Sequence, residues 1–353
     1  MVSIEEAFYV NYLLLDNELT LEEKRRRDRR IPRCSLREFK SSPFMYLYQS
    51  GNDQALLNVT ATDHKTFREL LALFEPAFNR YTFDRHGNIK RVMFTRSGVP
   101  KGRPRTVDAT GCLGLVLFWY RTKGSSARSV AMAFGMTASP MYSWLKFGRR
   151  VLLYALQHNP DAKVQLPTPA QLKEFVGAIS AKYPILTDVW AACDGLKLSI
   201  AKPTDDRLQN NFFNGWTHGH YVNAVYVFSP DGKIRICAIN CPGTWHDSTI
   251  ASYGVYQKML HMFVTYGVKV VVDAAFRVPK SEQSYLIKSS QQDPMDGGLR
   301  GVAINRAATS VRQLSEWGMR TIQAQFPRLT ERLAYEENGT VVAFQYGKVF
   351  VPS

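Results

Sequence analysis

Two aspartates of this 353-residue chain end apolar segments that are typical of buried strands. Asp194 closes the segment DVWAACD, and Asp273 closes the segment KVVVD. Ligands of α/β sheets gather outside the carboxyl ends of the strands, so carboxylates at such ends are candidates for a shared site. Two like charges that lie close together do not both stay ionised unless a cation lies between them. If the two strands are neighbours, the pair indicates a site for a divalent cation.

Carboxylate oxygens suit Mg²⁺ or Mn²⁺, which takes few protein ligands and fills its remaining positions with water and phosphate. A third acid commonly completes such a site, and the candidate is Glu316 in the helical segment SVRQLSEWGMRTI. Two bridged metal ions catalyse in-line phosphoryl transfer, in which one activates water or a 3′-hydroxyl and the other stabilises the leaving oxygen. Asp194, Asp273 and Glu316 are therefore the predicted catalytic and metal-binding residues. The alternative is that the aspartates form turns at strand ends and that Glu316 is a surface acid.

The charge of the chain indicates its partner. Lys and Arg number 45 against 30 Asp and Glu, which gives a formal net charge of +15. Such an excess favours nucleic acid or another anionic surface, so DNA is the predicted partner. A basic enzyme with an unrelated substrate is the alternative, and a glycoside hydrolase with paired carboxylates fits the charge and the expected metal less well.

Several other classes of protein and site are disfavoured. The five cysteines are scattered and odd in number, which argues against a secreted disulfide framework. We expect neither a signal peptide nor a membrane span, because the start has no basic region before its apolar residues and no run of 18 apolar residues occurs. The sequence has no nucleophile elbow, P-loop or dinucleotide fingerprint. Zinc is disfavoured because the spacing is poor among His218, His220, His246, Cys237 and Cys241.

The first half of the chain is predicted to be mostly helical. Residues 1–95 form a helical and basic region, in which the run Lys24–Arg30 is a nuclear-localisation signal, a phosphate-contacting arm or a solvated helix face. We therefore expect a nuclear protein, with the cytoplasm as the alternative. Thr62 or Asp63 is expected to cap a helix that follows.

Residues 96–165 resemble a helix-turn-helix segment that binds DNA. The pattern predicts helices over about 108–121, from Ser125 or Ser126 to Gly135, and from Thr137 to about 156. The alternatives are an ordinary helical packing domain and, for residues 96–107, a plain linker in place of a minor-groove arm. The predicted DNA-binding residues are basic or aromatic: Lys101, Arg103, Arg105, Tyr142, Lys146, Arg149 and Arg150.

The second half predicts a mixed α/β domain over residues 186–335. The predicted order of elements is a strand, a hairpin at 221–239 around a Pro-Asp-Gly turn, a helix, a second strand and a helix at 305–325. Thr168-Pro169 is expected to start the helix that precedes them. Trp216 and Tyr221, near the hairpin, are candidates for base stacking, with a place in the core as the alternative. Residues 336–353 are expected to be a tail or a strand pair.

Five ordered segments resemble the DDE superfamily of transposases, and more closely its PIF/Harbinger group. They are CDGLKLSIAKP, NNFFNGWTHGHYVNAVYVFSPDGKIR, CPGTWHDSTI, VVDAAFRVPK and INRAATSVRQLSEWGMRTIQAQFPRL. The resemblance implies a ribonuclease-H-like mixed sheet with flanking helices. It also implies a Mg²⁺- or Mn²⁺-dependent DNA nuclease or transposase, or a domesticated descendant, and the alternative is an inert, transposase-derived DNA-binding protein.

The resemblance assigns residues by position. It places the metal-binding triad at Asp194, Asp273 and Glu316, and it matches Arg312 and Asp247 to family residues as candidate accessory residues. His246, beside Asp247, is a further accessory candidate that could contact a phosphate or a water at the scissile strand. Asp247 precedes a helix, so capping of the Thr249 and Ile250 amides is the alternative to a metal role. A separate Myb-like DNA-binding protein and a second copy of this chain are the other partners that we expect.

Overall fold

The computed structural model describes residues 33–83, 89–97, 100–101, 104–157, 159–203, 205–278, 284–290 and 298–333. The basic run at 24–30, Arg103 and the predicted tail at 336–353 lie outside these ranges. Two compact units divide the described chain. The first comprises the residues up to Lys163 together with those from Gln325 onward, and the second comprises Val164–Ala324.

The first unit is built from six helices and a small antiparallel ribbon within the described ranges. The helices are α1 (Pro43–Gln49), α2 (Asp53–Thr60), α3 (His64–Arg80), α4 (Ala109–Arg121), α5 (Ala127–Ala133) and α6 (Ala138–Gln157), and the ribbon is β1 (Tyr81–Phe83) with β2 (Ile89–Arg91). Helix α3 packs against α4 and α6 through buried aromatic and aliphatic side chains such as Phe67, Phe74, Leu113 and Phe147. Helices α4, α5 and α6 confirm that three helices lie over about 108–156, as predicted.

Side-chain caps set the starts of three helices. The Asp63 carboxylate accepts from the Thr66 amide at 2.7 Å, which confirms one of the two predicted caps of α3. Ser126 accepts from the Ser129 amide at 3.1 Å and so starts α5. Gly135, just beyond α5, has a φ of 62°, the left-handed conformation that glycine adopts at little cost. In the second unit, Thr168 forms a reciprocal capping box with Gln171.

The second unit is a mixed sheet with helices on both faces. Its elements are α7 (Pro169–Lys182), β3 (Val189–Ser199), α8 (Asp206–Phe212), β4 (Phe213–Asn214), β5 (Gly219–Phe228), β6 (Ile234–Pro242), α9 (Asp247–Ser252), α10 (Val255–Tyr266), β7 (Lys269–Asp273), β8 (Leu286–Ser289) and α11 (Gly298–Gln325). The strand order is β4-β5-β3-β7-β8, and β6 also pairs with β5. Strands β3, β5 and β6 pair antiparallel, whereas β3, β7 and β8 pair parallel. The predicted α/β class and the hairpin are confirmed, and the last helix begins seven residues earlier than predicted.

Alternating residues of the central strands build two hydrophobic cores. Ala191, Cys193, Val270 and Val272 pack toward α9 and α10. Ala192 and Val271, one residue out of phase, pack instead with Ala307, Ala308 and Val311 of α11. Because successive side chains of a strand point to opposite faces, the residues that continue this second series are Asp194 and Asp273.

None of the helices in the described ranges has the length and apolar character that a membrane crossing requires.

Candidate active site

Asp194 and Asp273 lie side by side on neighbouring parallel strands. Cys193 of β3 pairs with Val272 of β7, and each aspartate is the next residue of its strand. Neighbouring strands are about 4.8 Å apart, and in-register residues of parallel strands point to the same face. The predicted juxtaposition of the two strands is therefore correct, and both carboxylates face the side of the sheet that α11 covers.

The prediction that Asp194 ends its strand is wrong. Asp273 is the last residue of β7, but β3 continues to Ser199. Asp194 pairs with Tyr226 of β5 in the antiparallel ladder, which extends five residues further. Pairing with β7 stops at Cys193, so the β7 edge of β3 is open from Asp194 onward.

Helix α11 brings a cation and a third carboxylate to this face. Arg312 donates from Nη1 to Asp194 Oδ2 at 3.3 Å, and its Nη2 lies 2.8 Å from Glu316 Oε1. Arg312 and Glu316 are one helical turn apart, so both reach the same side of α11. The guanidinium thus joins Asp194 of the sheet to Glu316 of the helix.

Asp247 approaches the same region from the opposite face of the sheet. It is the first residue of α9, and a Cβ built on Gly195 would overlap its carboxylate. The prediction that Asp247 caps α9 is wrong, because His246 takes the N-cap position and the Ile250 amide donates to the His246 carbonyl oxygen. The carboxylate is turned toward β3 instead, and only glycine at position 195 leaves room for it.

Burial and neighbouring carboxylates make this region costly for negative charge. Burial raises the pKa of Asp194 to about 6, and the negative charges of Asp273 and Asp247 add to the rise. Two groups oppose it: the Gly195 amide, which donates to Asp194 Oδ1 at 2.8 Å, and the guanidinium of Arg312. Burial also raises the pKa of Asp247, against the effect of Lys197 and with a further contribution from Asp273. A cation bound near these acids would relieve the repulsion.

The donor set fits a hard divalent cation. Carboxylate oxygens are the ligands that Mg²⁺ and Mn²⁺ prefer, and Mg²⁺ is commonly held by one or two carboxylates together with substrate phosphates. Asp194 and Asp273 supply such a pair. In the part of the chain that the structure describes, no three or more His, Cys, Asp or Glu side chains form a group that could hold a metal ion. The third predicted ligand, Glu316, is instead held in its ion pair with Arg312.

Two adjoining cavities lie near Asp247. One of about 470 Å³ is lined by Lys197, Trp216 and His246 among others. The second, of about 330 Å³, shares Lys197 and His246 with the first and extends to Asp247 and Arg277. The predicted accessory residue His246 is therefore exposed between the two cavities.

Exposure decides between the alternatives for Trp216, and three other residues were missed from the sequence. Trp216 is 90% exposed, so the alternative that places it in the core is wrong. Lys197 and Arg277 line the cavities, and Gly195 admits Asp247, yet none of them was predicted. The only signal for these three was their place within three to four residues of a predicted acid.

The described DNA-binding candidates of the first unit differ in accessibility. Lys101 is exposed and Arg150 is half-buried. Arg105 is half-buried, donates to the Phe78 carbonyl oxygen at 2.6 Å and to that of Tyr81, and lies over the Phe78 ring. Three further candidates are buried in this structure: Tyr142, Lys146 and Arg149. DNA contacts by the buried residues stay a prediction and would require these side chains to become accessible.

Residues 193–345 match the model of a family described as DDE superfamily endonuclease. The matched stretch contains Asp194, Asp247, Asp273, Arg312 and Glu316. The second unit therefore carries a domain similar to DDE superfamily endonucleases. Searches of curated proteins and of solved structures found no match.

Proposed function

We propose that the protein is a metal-dependent DNA endonuclease or transposase of the PIF/Harbinger group, built on a ribonuclease-H-like fold. The observation that carries the proposal is the in-register placement of Asp194 and Asp273 on parallel strands, within the stretch that matches DDE superfamily endonucleases. The sheet supports the fold assignment, because an antiparallel set of three strands continues into parallel strands with helices on both faces.

Asp194 and Asp273, joined by Glu316, would hold Mg²⁺ or Mn²⁺ at the open β7 edge of β3. Bound there, the metal would activate a water or a 3′-hydroxyl and stabilise the leaving oxygen of a phosphodiester. Arg312 bridges Asp194 and Glu316 and holds the two carboxylates close together before DNA arrives. Asp247, held against Gly195 beside Asp194, adds negative charge to the same centre. The reaction would be DNA hydrolysis, followed in a transposase by strand transfer from the freed 3′-hydroxyl.

DNA is the substrate that the charges support. The net charge of +15 favours a polyanion, and Lys197 and Arg277 add cations to the cavity that reaches Asp247. The helix-turn-helix-like segment, with its predicted basic residues, is proposed to add DNA contacts outside the acidic centre. A Myb-like partner, assembly of several copies and a nuclear location complete the proposal.

Nicking of supercoiled plasmid tests this function. We expect the full-length protein to nick or linearise the plasmid in Mg²⁺ or Mn²⁺ and to stop when EDTA is added. Cleavage that continues at the same rate in EDTA would reject a metal-dependent nuclease.

One observation favours a second candidate, an inert DNA-binding protein derived from a transposase. Arg312 already supplies a positive charge between Asp194 and Glu316, which a metal would otherwise provide. If this ion pair is permanent, the protein should bind plasmid and lower its mobility in a gel-shift experiment, and it should not cut the plasmid in either Mg²⁺ or Mn²⁺.

A further inference from the structure

Trp216 is held out into solvent by a built turn. Its side chain is 90% exposed, although exposure of so much apolar surface is unfavourable without a function. The Asn214 side chain accepts hydrogen bonds from the amides of Trp216 and Thr217, both at 3.1 Å. Its Nδ2 donates to the Gly243 carbonyl oxygen at 3.0 Å, which ties the turn to the loop after β6. The indole is therefore presented by a fixed backbone.

The surroundings of Trp216 combine an aromatic face with positive charge. Trp216 lines the cavity of about 470 Å³ together with Phe213, Lys197 and His246. Phe213 is 41% exposed, and Lys197 and His246 are exposed as well. Aromatic faces that alternate with cations are the means by which proteins hold single-stranded nucleic acid, since the bases stack and the phosphates pair with the cations.

The cavity lies at a short distance from the acids. Lys197 is three residues beyond Asp194 on the same strand, about 10 Å along it at 3.3 Å per residue, and its side chain points to the opposite face, from which Asp247 approaches. That length is about three base steps of B-DNA. The adjoining cavity shares Lys197 with the first and reaches Asp247, whose charge also raises the pKa of Asp194, so it links Trp216 to the edge of the acidic centre.

We propose that this cavity is a subsite for an unpaired DNA nucleotide within a few positions of the phosphate that is cut. Trp216 stacks on the base, and Lys197 contacts a flanking phosphate. The inference deepens the proposed nuclease function, on which it rests for the identity of the ligand. It goes beyond that function because it predicts a preference for DNA with an unpaired strand.

Fluorescence anisotropy with the full-length protein in EDTA tests the subsite without any cleavage. The two probes are one labelled duplex that carries a four-thymine 3′ tail and the same duplex with blunt ends. We expect the tailed probe to bind about 10-fold more tightly or better, and Trp216→Ala to remove this preference. Trp216→Phe should keep most of it, because the phenyl ring still offers a face for stacking.

Two further variants separate stacking from charge. Tyr266→Ala, which removes another exposed aromatic of the second unit that lines neither cavity, should leave both affinities unchanged. Lys197→Gln should reduce the slope of log binding constant against log salt concentration for the tailed probe by about the value of one phosphate contact.

Equal binding of tailed and blunt DNA by the wild-type protein would overturn the subsite, as would an unchanged preference in Trp216→Ala. A dimer in light scattering that depends on Trp216, without any tail preference, would assign the indole to a protein interface instead. Absence of cleavage together with a Trp216-dependent tail preference would reject the proposed nuclease and leave the subsite standing.

Discussion

Arg312 of α11 donates to Asp194 of β3 at 3.3 Å, across the face of the sheet on which Asp273 also lies. The same guanidinium lies 2.8 Å from Glu316, so one cation holds two of the three predicted metal ligands. A bound Mg²⁺ would compete with Arg312 for the oxygens of Asp194. The position of Arg312 therefore links the stability of the metal-free protein to its affinity for metal.

Replacement of Arg312 should affect these two properties in opposite directions. Arg312→Gln leaves Asp194 and Glu316 without their cation, so we expect the free energy of unfolding in EDTA to fall by about 1–3 kcal/mol. The same variant should bind Mn²⁺ more tightly than the wild type, because the competing charge is gone. Urea denaturation and calorimetric titration measure the two effects.

Arg320, an exposed residue two turns further along α11, provides the control. Arg320→Gln should change neither the free energy of unfolding nor the Mn²⁺ affinity. If Arg312→Gln binds Mn²⁺ more weakly than the wild type, Arg312 does not compete with the metal.

Asp194 should make stability depend on pH in the absence of metal. Its pKa of about 6 in the folded protein is above the usual value of 3.8, so between about pH 4 and 6 the folded state holds the proton more tightly than the unfolded state. The free energy of unfolding therefore falls as pH rises through this window. Asp194→Asn cannot ionise, so we expect it to be more stable than the wild type at pH 8 in EDTA, by about 2 kcal/mol.

Denaturation of both proteins at pH 4 and pH 8 checks this prediction. The stability gained by Asp194→Asn should shrink to less than about 1 kcal/mol at pH 4, because there the folded wild type is almost fully protonated and nearly half of the unfolded wild type is protonated as well. A gain of the same size at both pH values would show that Asp194 does not carry the predicted ionisation.

Gly195 should tolerate no side chain while Asp247 keeps its position. The Cβ of Gly195→Ala would overlap the Asp247 carboxylate, so we expect the free energy of unfolding to fall by about 1–3 kcal/mol. Asp247→Gly in the same chain should restore part of that loss, because the overlapping group is removed. Gly177→Ala is the matched control, since a Cβ there, on α7, meets no atom within 4 Å. It should stabilise the helix by up to about 1 kcal/mol.

Urea denaturation of the two single variants and the double variant gives the coupling energy. Additive losses from Gly195→Ala and Asp247→Gly would mean that the two residues do not interact, contrary to the contact in the structure.

Local patterns in the sequence predicted much of the fold. Thr168 was predicted as a cap, and Asp63 and Ser126 were each one of two predicted candidates, because a helix start depends on the few residues beside it. The adjacency of Asp194 and Asp273 was predicted because two apolar strands of one sheet commonly bring their ends together. Such signals extend over one element, or over two elements of the same type.

Other features depend on how elements pack, and the sequence pattern does not contain that information. Asp194 lies within its strand because β3 stays paired with β5 as far as Ser199, whereas its pairing with β7 ends at Cys193. Asp247 turns to Gly195 because of the way α9 packs on the sheet, where it contacts β5 and β6. Lys146 and Arg149 are buried although their residue types favour a solvated helix face.

The most direct test of the central claim is cleavage of supercoiled plasmid in Mg²⁺ by acid-to-amide variants. The claim is that Asp194 and Asp273 hold a metal ion that cuts DNA. Asp188→Asn serves as the control, because Asp188 pairs with Lys269 at 2.7 Å across the opposite ends of β3 and β7. We expect Asp194→Asn and Asp273→Asn each to lose at least about 100-fold in cleavage rate while Asp188→Asn cuts like the wild type. Wild-type rates of cleavage in either Asp194→Asn or Asp273→Asn would contradict the account.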